Sequence, residues 1–173
     1  KVSIGKTIYK SIALSENGDK LTYLASSDSL KSEIKNYSLY YYTQSQDSAL
    51  LILDKEHNNM PKSWSVSENY SPRFSKDGNR LLLGIAPIMQ PKDTIIPDFE
   101  QAQLDIWHWD EPVIQPRQLV LLERKKKQTF LSYIDLKDKS FYQLGSDSIP
   151  DITISDEDNG QYAIGLSDLN YQK

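Results

Sequence analysis

Apolar residues in this chain come in short runs broken by polar turns, a spacing of strands rather than of helices. The stretch Ser71 to Gly84 sets the pattern. Phe74 is expected to face inward at the end of one strand, and Ser75 to stop that strand, because its hydroxyl can bond the nearby backbone. Asp77-Gly78 reads as a tight turn in which glycine takes a positive φ without a Cβ clash. Leu81, Leu82 and Leu83 then form a nearly continuous apolar run, expected of a strand covered on both faces.

The pattern occurs three times. Ile12 to Leu24 matches it without a gap: Ser15 answers Ser75, Gly18 answers Gly78, and Leu21 answers Leu81. Ile152 to Gly165 matches with two extra residues in the turn, so that Ser155 and Gly160 take the serine and glycine places. Three copies make a repeat, and a repeat points to units that stack.

Between the copies lie further strand signals. Residues 8–14 and 20–25 are the first hairpin; Tyr37 to Thr43 and Ala49 to Asp54 form a second, so four strands in succession predict one antiparallel meander. Alternation in Tyr40-Tyr41-Tyr42 puts one face in the core, with Tyr41 expected to point the other way. Residues 55–70 read as an irregular connector. Pro87, Pro91 and Pro97 mark an insertion that cannot be a central strand. Leu104 to Trp109 returns to strand, and Gln118 to Lys127 fits either a short helix or coil. Thr129 to Leu136 and Ser140 to Leu144 form another hairpin.

The expected class is all-β: an incomplete β-propeller with two full four-stranded antiparallel units, about 8–54 and 71–144, and the start of a third at about 151–167. Blades usually recur at about 40–50 residues. Here Ser15 and Ser75 are 60 apart and Ser75 and Ser155 are 80 apart, the excess lying in the insertions. Rings of this kind have about 4–8 blades, so two and a part would not close one.

Totals narrow the function. Lys plus Arg number 20 and Asp plus Glu 24, a net charge of −4. That argues against a nucleic-acid partner, which leaves a basic footprint. The basic run Arg124-Lys125-Lys126-Lys127 reads as a solvated loop. With no cysteine, disulfides and cysteine-based zinc sites are out. No apolar run approaches the roughly 20 residues that span a bilayer, and the chain opens on Lys1, which leaves targeting open. No cofactor is implied.

The phrase Phe-Ser-x-Asp-Gly-x-x-Leu at Phe74 to Leu81 resembles the repeat of TolB-type and prolyl-oligopeptidase-type propellers. A second phrase, from Leu104-Asp105-Ile106-Trp107-His108-Trp109 through Pro116-Arg117-Gln118, is similar to the propeller of bacterial serine peptidases of the prolyl oligopeptidase family (S9), including their dipeptidyl-aminopeptidase-like members. The likeness covers roughly residues 70–167. It implies a non-catalytic propeller that gates peptide substrates and docks to an α/β-hydrolase domain, in a periplasmic or secreted parent protein. The Gly-x-Ser-x-Gly elbow that carries the family's nucleophile is absent here. No catalytic residue is therefore carried over; the alternative is a TolB-like module for protein–protein interaction.

Other candidates read as structure. His57 and His108, with Asp54 or Asp105, suggest a triad only on paper: His108 reads as an outward strand residue and His57 as part of a connector. Asp156 to Gly160 fails the EF-hand spacing, since the sixth and twelfth positions are Gln161 and Ser167. Trp107 and Trp109 share a strand face, for inter-blade packing or a binding surface. An incomplete ring would expose sheet faces, which favours self-association.

Overall fold

In a computed structural model, residue 2, residues 7–91, 100, 111 and 113–167 are described. They are mostly antiparallel β, in three sheets. The first is a meander of β1 (Ile8–Leu14), β2 (Lys20–Ser26), β3 (Ser38–Thr43) and β4 (Leu50–Leu53), in that order. The second contains β5 (Trp64–Val66), β6 (Arg73–Phe74), β7 (Arg80–Pro87), β8 (Phe130–Asp135) and β9 (Phe141–Gln143). Its order is β5-β7-β8-β9, and β6 also pairs with β7. The third is a hairpin of β10 (Asp151–Ile154) and β11 (Ala163–Leu166).

The sheets pack face to face. Leu24, Leu39 and Leu53 of the first sheet share one core with Leu81, Leu83, Ile85, Phe130, Ile134 and Phe141 of the second. The opposite face of the second sheet offers Leu82 and Leu131, which cluster with Ile154, and with Ile152 at its margin. Alternation along β7 accounts for this: odd-numbered leucines face one neighbour and Leu82 the other. All three leucines are fully buried. The apolar run exists because the second sheet is the middle layer. Among the described residues, an isolated bridge, Tyr37 to Val66, ties the first two sheets at one corner.

Several details depart from expectation. Residues 55–70 are not all connector: Trp64–Val66 pairs with Ile85–Pro87, on the edge of β7 that β6 also uses. Tyr41, expected to point away from the core, is the buried member of the tyrosine run. Leu39 is paired with Leu24 and Tyr41 with Thr22, so the register turns Tyr41 toward the second sheet, where its ring meets Phe74. Tyr40 lies on the far face, stacked on Tyr23. Gln115–Lys126 is a helix, α1, with a proline in its first turn, where the missing N–H costs nothing. Arg124, Lys125 and Lys126 sit in its last turn, favoured by the helix dipole, and Lys127 follows as its C-cap. The expected strand at Leu104 to Trp109 lies outside the described residues. Among the described residues, no helix is long and apolar enough to cross a membrane.

Two irregularities shape the first sheet. Lys10 faces Leu24 and Ala13 faces Thr22, so β1 carries one extra residue, and Ser11 takes a φ of 52° there. Such a bulge bends the strand. In the middle sheet, Gly84 is required by proximity: a Cβ there would fall 2.4 Å from the Cβ of Tyr70.

Candidate functional site

The three serine–glycine turns lie at one end of the stack, and their local chemistry is shared. In each, the serine N–H closes the hairpin: Ser15 to the Lys20 carbonyl (3.0 Å), Ser75 to Arg80 (2.9 Å), Ser155 to Tyr162 (3.3 Å). In each, the glycine N–H donates to the serine carbonyl, at 2.9, 2.8 and 3.0 Å. Ser15 and Ser75 hydroxyls also accept from the N–H of Lys20 and Arg80, and donate to Asp19 and Asp77. The Ser75 hydroxyl, its hydrogen-bonded neighbour at 2.6 Å, is the largest influence holding the Asp77 carboxyl down at about 2. Bonds from Asn79 add to it.

The glycines serve two purposes. Gly18 and Gly78 have φ of 70° and 66°, where an L side chain is strained. Gly160 is not in that region. A Cβ on it would fall 2.0 Å from the Ser155 hydroxyl oxygen, so close approach requires it. In this longer turn Asp156, Glu157 and Asp158 carry the positive φ instead, at 54°, 52° and 68°. Each such residue costs about 1 kcal/mol or more.

Contacts to the preceding turn hold that strained segment. Arg73 binds Asp158 through two nitrogens, at 2.7 and 3.1 Å, a charge-assisted fork. This bond is the main reason the Arg73 pKa is raised. Lys76 pairs with Glu157, and the Asp77 N–H donates to the Asn159 side chain.

One contact recurs. The residue two places after the turn glycine reaches the glycine carbonyl of the next turn. Lys20 Nζ donates to the Gly78 carbonyl at 2.6 Å, and Arg80 donates to the Gly160 carbonyl at 2.7 Å. Sequence reading missed this, although the basic residues at matching places were visible once the turns were aligned. On Tyr162, the corresponding residue of the third turn, the side chain is exposed.

Where the turns meet, an open cleft of about 390 Å³ is lined by Leu14 and Glu16, Phe74 and Lys76, and Glu157 and Asp158, two from each turn. Ser75 also borders it, but its hydroxyl is committed to the turn. Of its charged lining, Lys76 and Glu157 are paired with each other and Asp158 is held by Arg73; a nucleophile paired with a base is not among its lining residues.

The remaining candidates are dispersed. The His57 ring packs edge-on to Phe141 at 5.9 Å, and its Nδ1 accepts from the Asn59 N–H. Asp54 accepts from the Glu56 N–H. His108, Asp105, Trp107 and Trp109 lie outside the described residues. Among the described residues, no three His, Cys, Asp or Glu side chains are grouped to hold a metal ion.

No family model matches the chain, and no curated protein matches it. Among solved structures that match, the crystal structure of the tricorn protease does so with a TM-score of 0.30 and 11% identity, over 90% of this chain and 21% of that one. The chain thus spans about a fifth of that protein's length. A likeness of that size fixes neither fold family nor activity.

Proposed function

We propose that this chain is a non-catalytic segment of a β-propeller from an S9-type serine peptidase, and that its role is to restrict substrate access to, and dock against, an α/β-hydrolase domain of the parent protein. The observation that carries the architecture is the repeated step between sheets. Each of the three begins with, or is built on, the same serine–glycine hairpin, and each packs on the next through corresponding faces. Four-stranded meanders packed in this way are the units of a propeller. The peptidase part is supported by the resemblance of the Trp107-His108-Trp109 phrase and of Phe74 to Leu81.

On this reading the turn-end cleft borders the path of a peptide, and its charged rim sorts what approaches. Activity belongs to the parent. The chain alone should leave chromogenic dipeptides untouched, while the parent gene product should cleave them and be silenced by serine-directed reagents. Serine-reagent-sensitive turnover by the isolated chain would overturn the reading. A parent sequence without a Gly-x-Ser-x-Gly elbow would favour the second reading, a TolB-like binding module, for which the open polar cleft is the supporting feature.

A further inference from the structure

The fold engages Lys10, Lys20, Arg73, Lys76 and Arg80 in ion pairs or on backbone carbonyls. The run Arg124-Lys125-Lys126-Lys127 is different. All four residues are exposed. Lys126 has Glu123, one helical turn back, in a surface pair of little strength. Arg124, Lys125 and Lys127 have no side-chain hydrogen bond or ion pair among the described residues.

The helix that carries the run is weakly held. It buries no side chain, has no side-chain cap at Ile114 and no acidic residue in its first turn. Helices shorter than about 12–15 residues are marginal without packing, and α1 has 12. Opening its end breaks local bonds, such as those from the Lys127 N–H to the Arg124 carbonyl and from the Gln128 N–H to the Lys125 carbonyl. An endoprotease takes its substrate as an extended strand, so it cuts where backbone opens most readily. Basic residues in other turns are less available. Lys137 and Lys139 lie in the β8–β9 turn, closed by the Asp135 N–H on the Ser140 carbonyl. Lys55 precedes a chain of turn bonds that ends on buried Met60. Lys31 sits in a loop whose ends are tied by Asp28 and the Asn36 N–H.

The strands on either side of the insertion do not need it. β7 and β8 pair from Arg80 with Asp135 to Ile85 with Phe130. Ile85 and Phe130, the pair nearest the insertion, are both buried in the core shared with the first sheet.

We propose that Arg124–Lys127 is a processing site, at which an endoprotease that cleaves after basic residues opens the chain once, and that the two pieces remain assembled as one fold. Water is consumed at one peptide bond. Its hydroxyl goes to the carbonyl carbon, leaving a new carboxylate, and the amide nitrogen takes up protons to become a new terminal ammonium. The cut frees the C-terminal end of the insertion at the end of the stack opposite the serine–glycine turns, since β7 runs from Arg80 beside that turn to Pro87. The inference does not depend on the peptidase reading; an inactive parent would leave it standing.

Limited digestion of the folded chain tests it, with trypsin, which cuts after lysine and arginine, as the probe. Intact-mass analysis should place the first cut between Arg124 and Gln128, about tenfold or more ahead of any other basic residue within 7–167. The nicked chain should elute from gel filtration as one species of unchanged size with its circular dichroism retained, and part into two pieces only in denaturant. The combined variant Arg124→Gln, Lys125→Gln, Lys126→Gln and Lys127→Gln alters only exposed positions. With its circular dichroism unchanged, it should stay whole while the unaltered chain is fully nicked. A first cut at Lys31, Lys55, Lys139 or another internal basic residue would overturn the proposal. Equally fast cutting of the folded variant elsewhere would overturn it too, as would separation of the two pieces under native conditions.

Discussion

Gly78 shows what a single residue contributes. Its φ of 66° lies where only glycine is unstrained, and a Cβ there would approach the flexible end of Lys20 at 3.3 Å. Gly78→Val should therefore cost about 1–3 kcal/mol, chiefly through backbone strain. Chemical denaturation measures it; an unchanged midpoint would contradict the turn geometry. Gly78→Asn should cost less, since asparagine tolerates the left-handed region. Asp77 in the same turn carries a pH dependence. Its carboxyl sits at about 2 in the fold against an ordinary 3.8, so the folded state favours the ionised form. That contribution is complete above the ordinary value and is lost as pH falls from 3.8 toward 2. Thermal unfolding should show Asp77→Asn with a shallower loss of stability across this window than the unaltered chain. Parallel slopes would show that Asp77 is not held this way.

Among the elements, the third hairpin is the most dependent on its neighbour. Its turn stores three left-handed residues and is secured by Arg73, Lys76, Asp77 and Arg80 of the turn before it. Arg80→Met keeps the aliphatic stem and removes the donor to Gly160. Hydrogen exchange should then speed up in β10–β11 while β2–β3 amides are unchanged. Uniform acceleration, or none, would show that the contact does not secure the hairpin.

Much of this level was readable from sequence. Ser75, Asp77 and Gly78 fix a turn by local bonds alone, and Leu81 to Leu83 announce burial on two sides. What escaped depends on partners far along the chain. Trp64–Val66 is a strand only because Ile85–Pro87 lies beside it, and three residues carry no period of their own. Tyr41 turns inward because the pairing of Leu39 with Leu24 sets the register. The Lys20 and Arg80 contacts need the turns to be neighbours in space before their spacing means anything.

At the scale of the whole molecule, the middle sheet makes a layered stack out of what would otherwise be three marginal sheets. Its two faces separate two apolar clusters, and Leu82 belongs to one while Leu81 and Leu83 belong to the other. A two-stranded hairpin such as β10–β11 is marginal alone and relies on packing against a further layer. The central claim is this order of layers. Methyl NOE spectroscopy tests it most directly. Ile154 should show cross-peaks to Leu82 or Leu131, Leu24 should show them to the Leu81 and Leu83 set, and none should join Leu24 to Ile154. Direct Leu24–Ile154 contacts, or ladder amide contacts joining β9 to β10 as one continuous sheet, would contradict it.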